Sequence, residues 1–185
     1  VHLETYGCQM NVYDSAAIGG LLAAAGWAVT DDPDGADVLL INTCSVREHA
    51  EHRVLSRVGE LRRRRELTGR PRLIGVCGCM AERLAGELVS GRRGADLAVG
   101  VDQYDRLPEL LARLLAEAPP AGGGEPGAEA AARLAVGHRD DAHYVAPPEL
   151  YPANNSHLVT IHKGCDYRCT YCIVPAVRGP QREKA

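Results

Sequence analysis

Two short, unbroken apolar runs constrain this chain more than any other feature. D-V-L-L-I-N spans Asp37 to Asn42, and R-L-I-G-V spans Arg72 to Val76. A run that is apolar at consecutive positions, rather than at every second one, marks a strand covered on both faces. The segments around these runs alternate in type. Val1 to Tyr6 reads as a first strand. A helix is expected from a cap at Asp14 or Ser15, through the Ala/Leu-rich stretch, to a stop at Gly26. Trp27 to Thr30 reads as a short strand, and D-D-P-D-G at Asp31 to Gly35 as a turn. A long charged helix is expected from Arg47 to Leu67. After the second apolar run come a helix from Met80 to Val89, a strand from Asp96 to Val99 and an amphipathic helix from Asp105 to Ala118. This alternation predicts an α/β fold built on a mostly parallel, doubly wound sheet with helices on both faces.

The pattern changes at Pro119, where P-P-A-G-G-G-E-P-G reads as a flexible linker. Three segments follow: residues 1–118 as the first domain, 119–153 as linker, and 154–185 as the incomplete start of a second domain. Residues 128–153 are expected to be extended or disordered. Order should resume at H-L-V-T-I-H, His157 to His162, an alternating strand leading into K-G-C. The chain has 185 residues and a net charge of -3, so its overall charge gives no pull toward nucleic acid. No apolar run reaches 18 residues, which leaves no candidate membrane span. The first residues carry no signal-peptide pattern, which points to the cytoplasm. Seven cysteines in such a chain are expected to be reduced thiols and suggest metal ligation rather than disulfides.

Cys165, Cys169 and Cys172 form C-x3-C-x2-C directly after the alternating strand. Three thiolates this close can wrap one side of a cubane iron–sulfur cluster and leave the fourth iron open to a small chelating molecule. The alternative is a zinc knuckle or a chance thiol group, with His162 as the nearest further ligand. Cys8, Cys44 and Cys79 are far apart in sequence, but each follows a predicted strand. They therefore fall at the carboxyl edge of the sheet, where open α/β sheets bind ligands. There they can hold a second cluster, or they can be three unrelated buried thiols. Cys77 ends an apolar strand and reads as a core thiol, facing away from Val76.

These blocks resemble a known family. K-G-C-D-Y-R-C-T-Y-C, residues 163–172, is similar to the cluster motif of radical S-adenosylmethionine enzymes. T-Y-G-C-Q-M-N at Thr5 to Asn11, N-T-C-S-V-R-E at Asn42 to Glu48 and G-C-M-A-E at Gly78 to Glu82 resemble the methylthiotransferases, and the first block resembles their tRNA-modifying branch called MiaB. The resemblance implies an auxiliary 4Fe-4S cluster on Cys8, Cys44 and Cys79. It implies a radical cluster on Cys165, Cys169 and Cys172, with S-adenosylmethionine on its open iron and the start of an α/β barrel around it. The implied reaction replaces C–H by C–S–CH3 on N6-isopentenyl adenosine beside the anticodon of tRNA. One S-adenosylmethionine supplies the methyl group, and a second yields the 5′-deoxyadenosyl radical that removes hydrogen. tRNA, S-adenosylmethionine and a sulfur donor are the implied partners, with no membrane and a monomeric enzyme. Sister enzymes acting on threonylcarbamoyl adenosine or a ribosomal protein are the alternative, and a non-catalytic metal-binding module is the alternative of another class. After C-I-V-P the chain keeps Arg178 and Gly179 but reaches Arg182 and Glu183 later than the family's usual R-G-R-E. The resemblance thus implies an N-terminal portion of a larger enzyme, not expected to turn over alone.

Other features leave two readings each. Tyr171, before the last cysteine, stands where the family often has an aromatic residue near the cofactor, or it simply packs. Between Arg53 and Arg72 there are eight Arg against Glu60 and Glu66. The run Arg62 to Arg65 can face tRNA phosphates or be a solvated helix face. His49 and His52 read as surface residues. Arg47 and Glu48 can orient the Cys44 loop or the start of the helix.

Overall fold

β2 (Val38–Thr43) and β3 (Leu73–Gly78) are buried at every position, as their continuous apolar character requires. The structure is a computed structural model that describes residues 1–45, 48–90, 94–117, 133–140 and 160–183. With β1 (His2–Tyr6), β4 (Leu97–Val99) and β5 (Leu134–Ala135), these strands form a parallel sheet in the order β1-β2-β3-β4-β5. Alternate residues feed two cores. Val38, Leu40, Leu73, Leu97 and Val99 pack with α1 (Gln9–Ala24) and α4 (Leu107–Glu117). Leu39, Ile41, Ile74, Val76 and Ala98 pack with α2 (Glu48–Thr68) and α3 (Cys79–Val89). The sheet is therefore covered on both faces. Cys77 lies in the first core and Val76 in the second, so the thiol faces away from its neighbour as expected.

Trp27 to Thr30 does not form a full strand, yet it lies beside β1. Val1 N donates to Ala28 O at 2.6 Å, and Val1 O accepts from Thr30 N at 2.9 Å. That sets Val29 opposite Val1 in parallel register. The chain thus leaves β1 toward one side of the sheet and leaves β2 toward the other. The pair β1/β2 is a topological switch point, where sheets of this kind bind ligands outside their carboxyl ends.

Three expectations need correction. α1 begins at Gln9, five residues before the predicted cap at Asp14. Cys8 takes the cap position, and its backbone N–H donates to Asn11 Oδ1 at 3.2 Å. Asp14 is instead buried within the helix. Leu134–Ala135, inside the stretch read as linker, pairs with β4 as the fifth strand because its short apolar segment completes the sheet. The strand expected from His157 to His162 appears as β6 (His162–Lys163), paired antiparallel with β7 (Arg182–Glu183); positions 157–159 lie outside the described residues. Between these two strands the chain forms the cysteine loop and α5 (Val174–Arg178).

Candidate metal centre

Strand register brings the first three cysteines to one level. Tyr6 lies opposite Thr43, and Thr43 opposite Gly78. Cys44 and Cys79 each come one residue after that line, and Cys8 two residues after it. Cys44 N donates to Tyr6 O at 3.1 Å, which draws the second turn against the first. A buried amide pair fixes the turns from beneath. Asn42 Nδ2 donates to Asn11 O at 2.8 Å and to Ser15 Oγ at 2.9 Å, and Asn11 Nδ2 donates to Asn42 Oδ1 at 3.3 Å. Both asparagines are fully buried. A satisfied buried polar network of this kind specifies a single arrangement.

The three thiols differ in character. Cys8 is exposed, while Cys44 and Cys79 are buried. A hydrogen bond from the Cys44 thiol is the main cause that pulls the Cys8 thiol down to about 5, helped by backbone N–H groups of Met10 and Asn11 at the helix start and by Arg178. These contacts favour the anionic form of the Cys8 sulfur. Burial raises the Cys79 thiol, opposed by the charge and hydrogen bond of Arg178. Burial alone pushes Cys77 up to about 12, consistent with an inert core thiol.

Arg178 ends α5 and crosses to this edge. Its Nε donates to Cys79 Sγ at 3.3 Å and its Nη2 to Asp14 Oδ2 at 2.7 Å. A second buried carboxylate, Asp102, holds the rest of the segment through Arg182 at 2.8 Å, with His138 Nδ1 at 3.3 Å and Lys163 Nζ at 3.8 Å. Burial pulls the Lys163 amine down to about 8. The second triplet joins the same edge through the backbone: Cys165 N donates to Gly179 O at 3.1 Å, next to Arg178. Cys165 and Cys172 are half-buried, and Cys169 is exposed. Tyr171 is 90% exposed, so it is not a packing residue.

Among the described residues, no three His, Cys, Asp or Glu side chains meet closely enough to hold one metal ion. A four-iron cluster differs, because each thiolate binds a separate iron. Three cysteine sulfurs, with the anionic form favoured at Cys8 and a guanidinium donating to Cys79, suit soft, anionic sulfur ligation.

Sequence reasoning missed Asp14 and Asp102 as the buried carboxylates that receive Arg178 and Arg182. The available signal was an acid inside the otherwise small and apolar face of α1. It also left the Arg run open. Arg62 bonds Gly94 O, Arg64 bonds Asp34 and Pro33 O, and Arg65 bonds Pro71 O and Asp96, whose carboxylate also accepts from Ile74 N. Three of the four guanidiniums therefore brace the fold, while Arg63 is exposed. Arg65→Ser is expected to cost about 1–3 kcal/mol in urea denaturation through the lost charged hydrogen bonds, and Arg63→Ser to stay within about 0.5 kcal/mol of the parent. Equal losses would sink this assignment. His52 is exposed; Arg47 and the side chains of Glu48 and His49 lie outside the described residues.

Residues 1–100 match the family described as "Uncharacterized protein family UPF0004", and the chain belongs to that family. Two curated relatives are named mitochondrial tRNA methylthiotransferase CDK5RAP1, from Rattus norvegicus and Mus musculus. Each is 39% identical over 187 aligned positions, covering 100% of this chain. The chain spans 30% of the length of each relative. No helix among the described residues is long and apolar enough to cross a membrane.

Proposed function

We propose that this chain belongs to a tRNA methylthiotransferase acting on N6-isopentenyl adenosine beside the anticodon. Cys8, Cys44 and Cys79 would hold an auxiliary 4Fe-4S cluster, and Cys165, Cys169 and Cys172 a second one, with S-adenosylmethionine on its open iron. The observation that carries this reading is the continuity between the two thiol sets: Cys79 touches Arg178, and the Gly179 carbonyl beside it holds the Cys165 amide. When bound, the clusters and S-adenosylmethionine supply the radical, the sulfur and the methyl group. The protein's own part is placement. The Asn11–Asn42 pair sets the spacing of the first two turns, the Cys44 hydrogen bond favours an anionic Cys8 sulfur, and the Asp14–Arg178 pair seats the second loop on the first edge. Tyr171, exposed on that loop, is available to a bound cofactor or base.

The tRNA in both relatives' names favours an RNA substrate over a ribosomal protein. The T-Y-G-C-Q-M-N block favours isopentenyl over threonylcarbamoyl adenosine. A sulfur donor, a monomeric enzyme and a thiol-reducing compartment such as the cytoplasm complete the reading; none of the seven cysteines is in a disulfide. The test is nucleoside mass spectrometry of tRNA from cells depleted of the protein. Loss of 2-methylthio-N6-isopentenyl adenosine, with the unmethylthiolated nucleoside accumulating, is the expected result. Loss of the threonylcarbamoyl counterpart instead would assign the sister activity, and no change in either would remove the tRNA reading.

A further inference from the structure

Arg178 is 6% exposed and lies 164 positions from its partner Asp14, whose side chain is 1% exposed. Nothing in the cluster motifs requires an arginine at the sulfur of Cys79. Its guanidinium nevertheless divides its donors: Nε to Cys79 Sγ, Nη2 to Asp14, and Nη1 buried with no hydrogen-bond partner among the described residues. We propose that Arg178 is a positioning residue that sets the reduction potential of a cluster held by Cys8, Cys44 and Cys79, acting through the Cys79 sulfur while Asp14 both fixes it and offsets its charge. The proposal rests on the cluster reading above.

Reduction adds an electron to the cluster. A hydrogen bond and a positive charge at a ligand sulfur stabilise that added charge and raise the potential. The carboxylate of Asp14 acts in the opposite sense. Both side chains are buried, so water screens neither effectively. The two residues therefore make opposite predictions. Removing the guanidinium lowers the potential, and neutralising the carboxylate raises it. A purely structural role predicts something different, since loosening the same contact from either side admits water and moves both variants the same way.

The experiment uses the full chain with Cys165, Cys169 and Cys172 replaced by Ser, reconstituted anaerobically with iron and sulfide and titrated potentiometrically by electron paramagnetic resonance. The parent in this background is expected to hold about four irons. If it holds none, the cluster reading fails and the proposal falls with it. With four irons bound, Arg178→Met should shift the potential negative and Asp14→Asn should shift it positive. Unchanged potentials, or shifts of the same sign, overturn the proposal while leaving the cluster in place. Should Arg178→Met not retain iron, Arg178→Lys is titrated instead. Its ammonium keeps the charge but lacks the planar fork that reaches both partners. A smaller negative shift supports the proposal, and the parent's potential overturns it.

Discussion

Replacing Cys8, Cys44 and Cys79 together by Ala is expected to lower iron from about eight to about four per chain after anaerobic reconstitution, with sulfide falling in step. The expectation rests on register. The three residues leave adjacent strands at one level, Cys44 N is bonded to Tyr6 O, and Gly78 stands opposite Thr43. The side chains are thus brought together by the sheet itself, and their removal leaves the apolar faces of β2 and β3 intact. The far-ultraviolet circular dichroism of the variant should match the parent, which separates loss of ligands from loss of fold. Zinc in place of iron would make both triplets structural, and the radical reading would be withdrawn. Four irons in the parent and none in the variant would put the stable cluster at the sheet edge and mean that Cys165, Cys169 and Cys172 need more of the protein than these 185 residues to hold theirs.

Gly78→Ala is expected to be severely destabilising. Gly78 has φ 93° and ψ -157°, a region open essentially to glycine alone. A Cβ there would stand 2.5 Å from Asn42 Oδ1 and 2.6 Å from the carbonyl oxygen of Thr43. The amide belongs to the buried Asn11–Asn42 pair and the carbonyl to the central strand, so neither can retreat without breaking the arrangement that spaces the cysteines. Backbone strain alone costs about 1–3 kcal/mol, and the collision adds to it, against a total stability of about 5–15 kcal/mol. The urea midpoint should fall steeply, and any folded fraction should fail to hold iron at the first site. Gly59→Ala in α2 is the control, because its Cβ would meet nothing within 4 Å. It should gain about 0.5–1 kcal/mol from helix propensity. A Gly78→Ala protein as stable as the parent would contradict the close approach of β3 to β2.

The sheet was legible in the sequence because its central strands are covered on both faces. Covered strands must be apolar throughout, and Val38–Thr43 and Leu73–Gly78 are the clearest cases. The cysteines were legible for the same reason: once the strands are placed, the residues after them share an edge. The start of α1 was not, because the helix is capped by Cys8 with Asn11 rather than by the Asp or Ser that composition suggests. Neither was β5, where two residues are too few to show a period and only pairing with Ala98 and Val99 makes them a strand. The contacts that complete the site were the least legible. Arg178 with Asp14 and Arg182 with Asp102 are charged contacts between distant parts of the chain, with no local pattern to announce them. The Arg run misled in the opposite direction, since a cluster that looks free in sequence is largely satisfied by carbonyls and carboxylates of the fold.

The chain order of the Arg178 contact carries a consequence for biosynthesis. All three cysteines of the sheet edge, their strands and the fifth strand are made before residue 136, whereas the arginine that covers Cys79 comes only at the end of α5. Arg178 is thus made after every strand of the parallel sheet, and its bonds to Cys79 and Asp14 tie the last described helix back to the first across 164 positions.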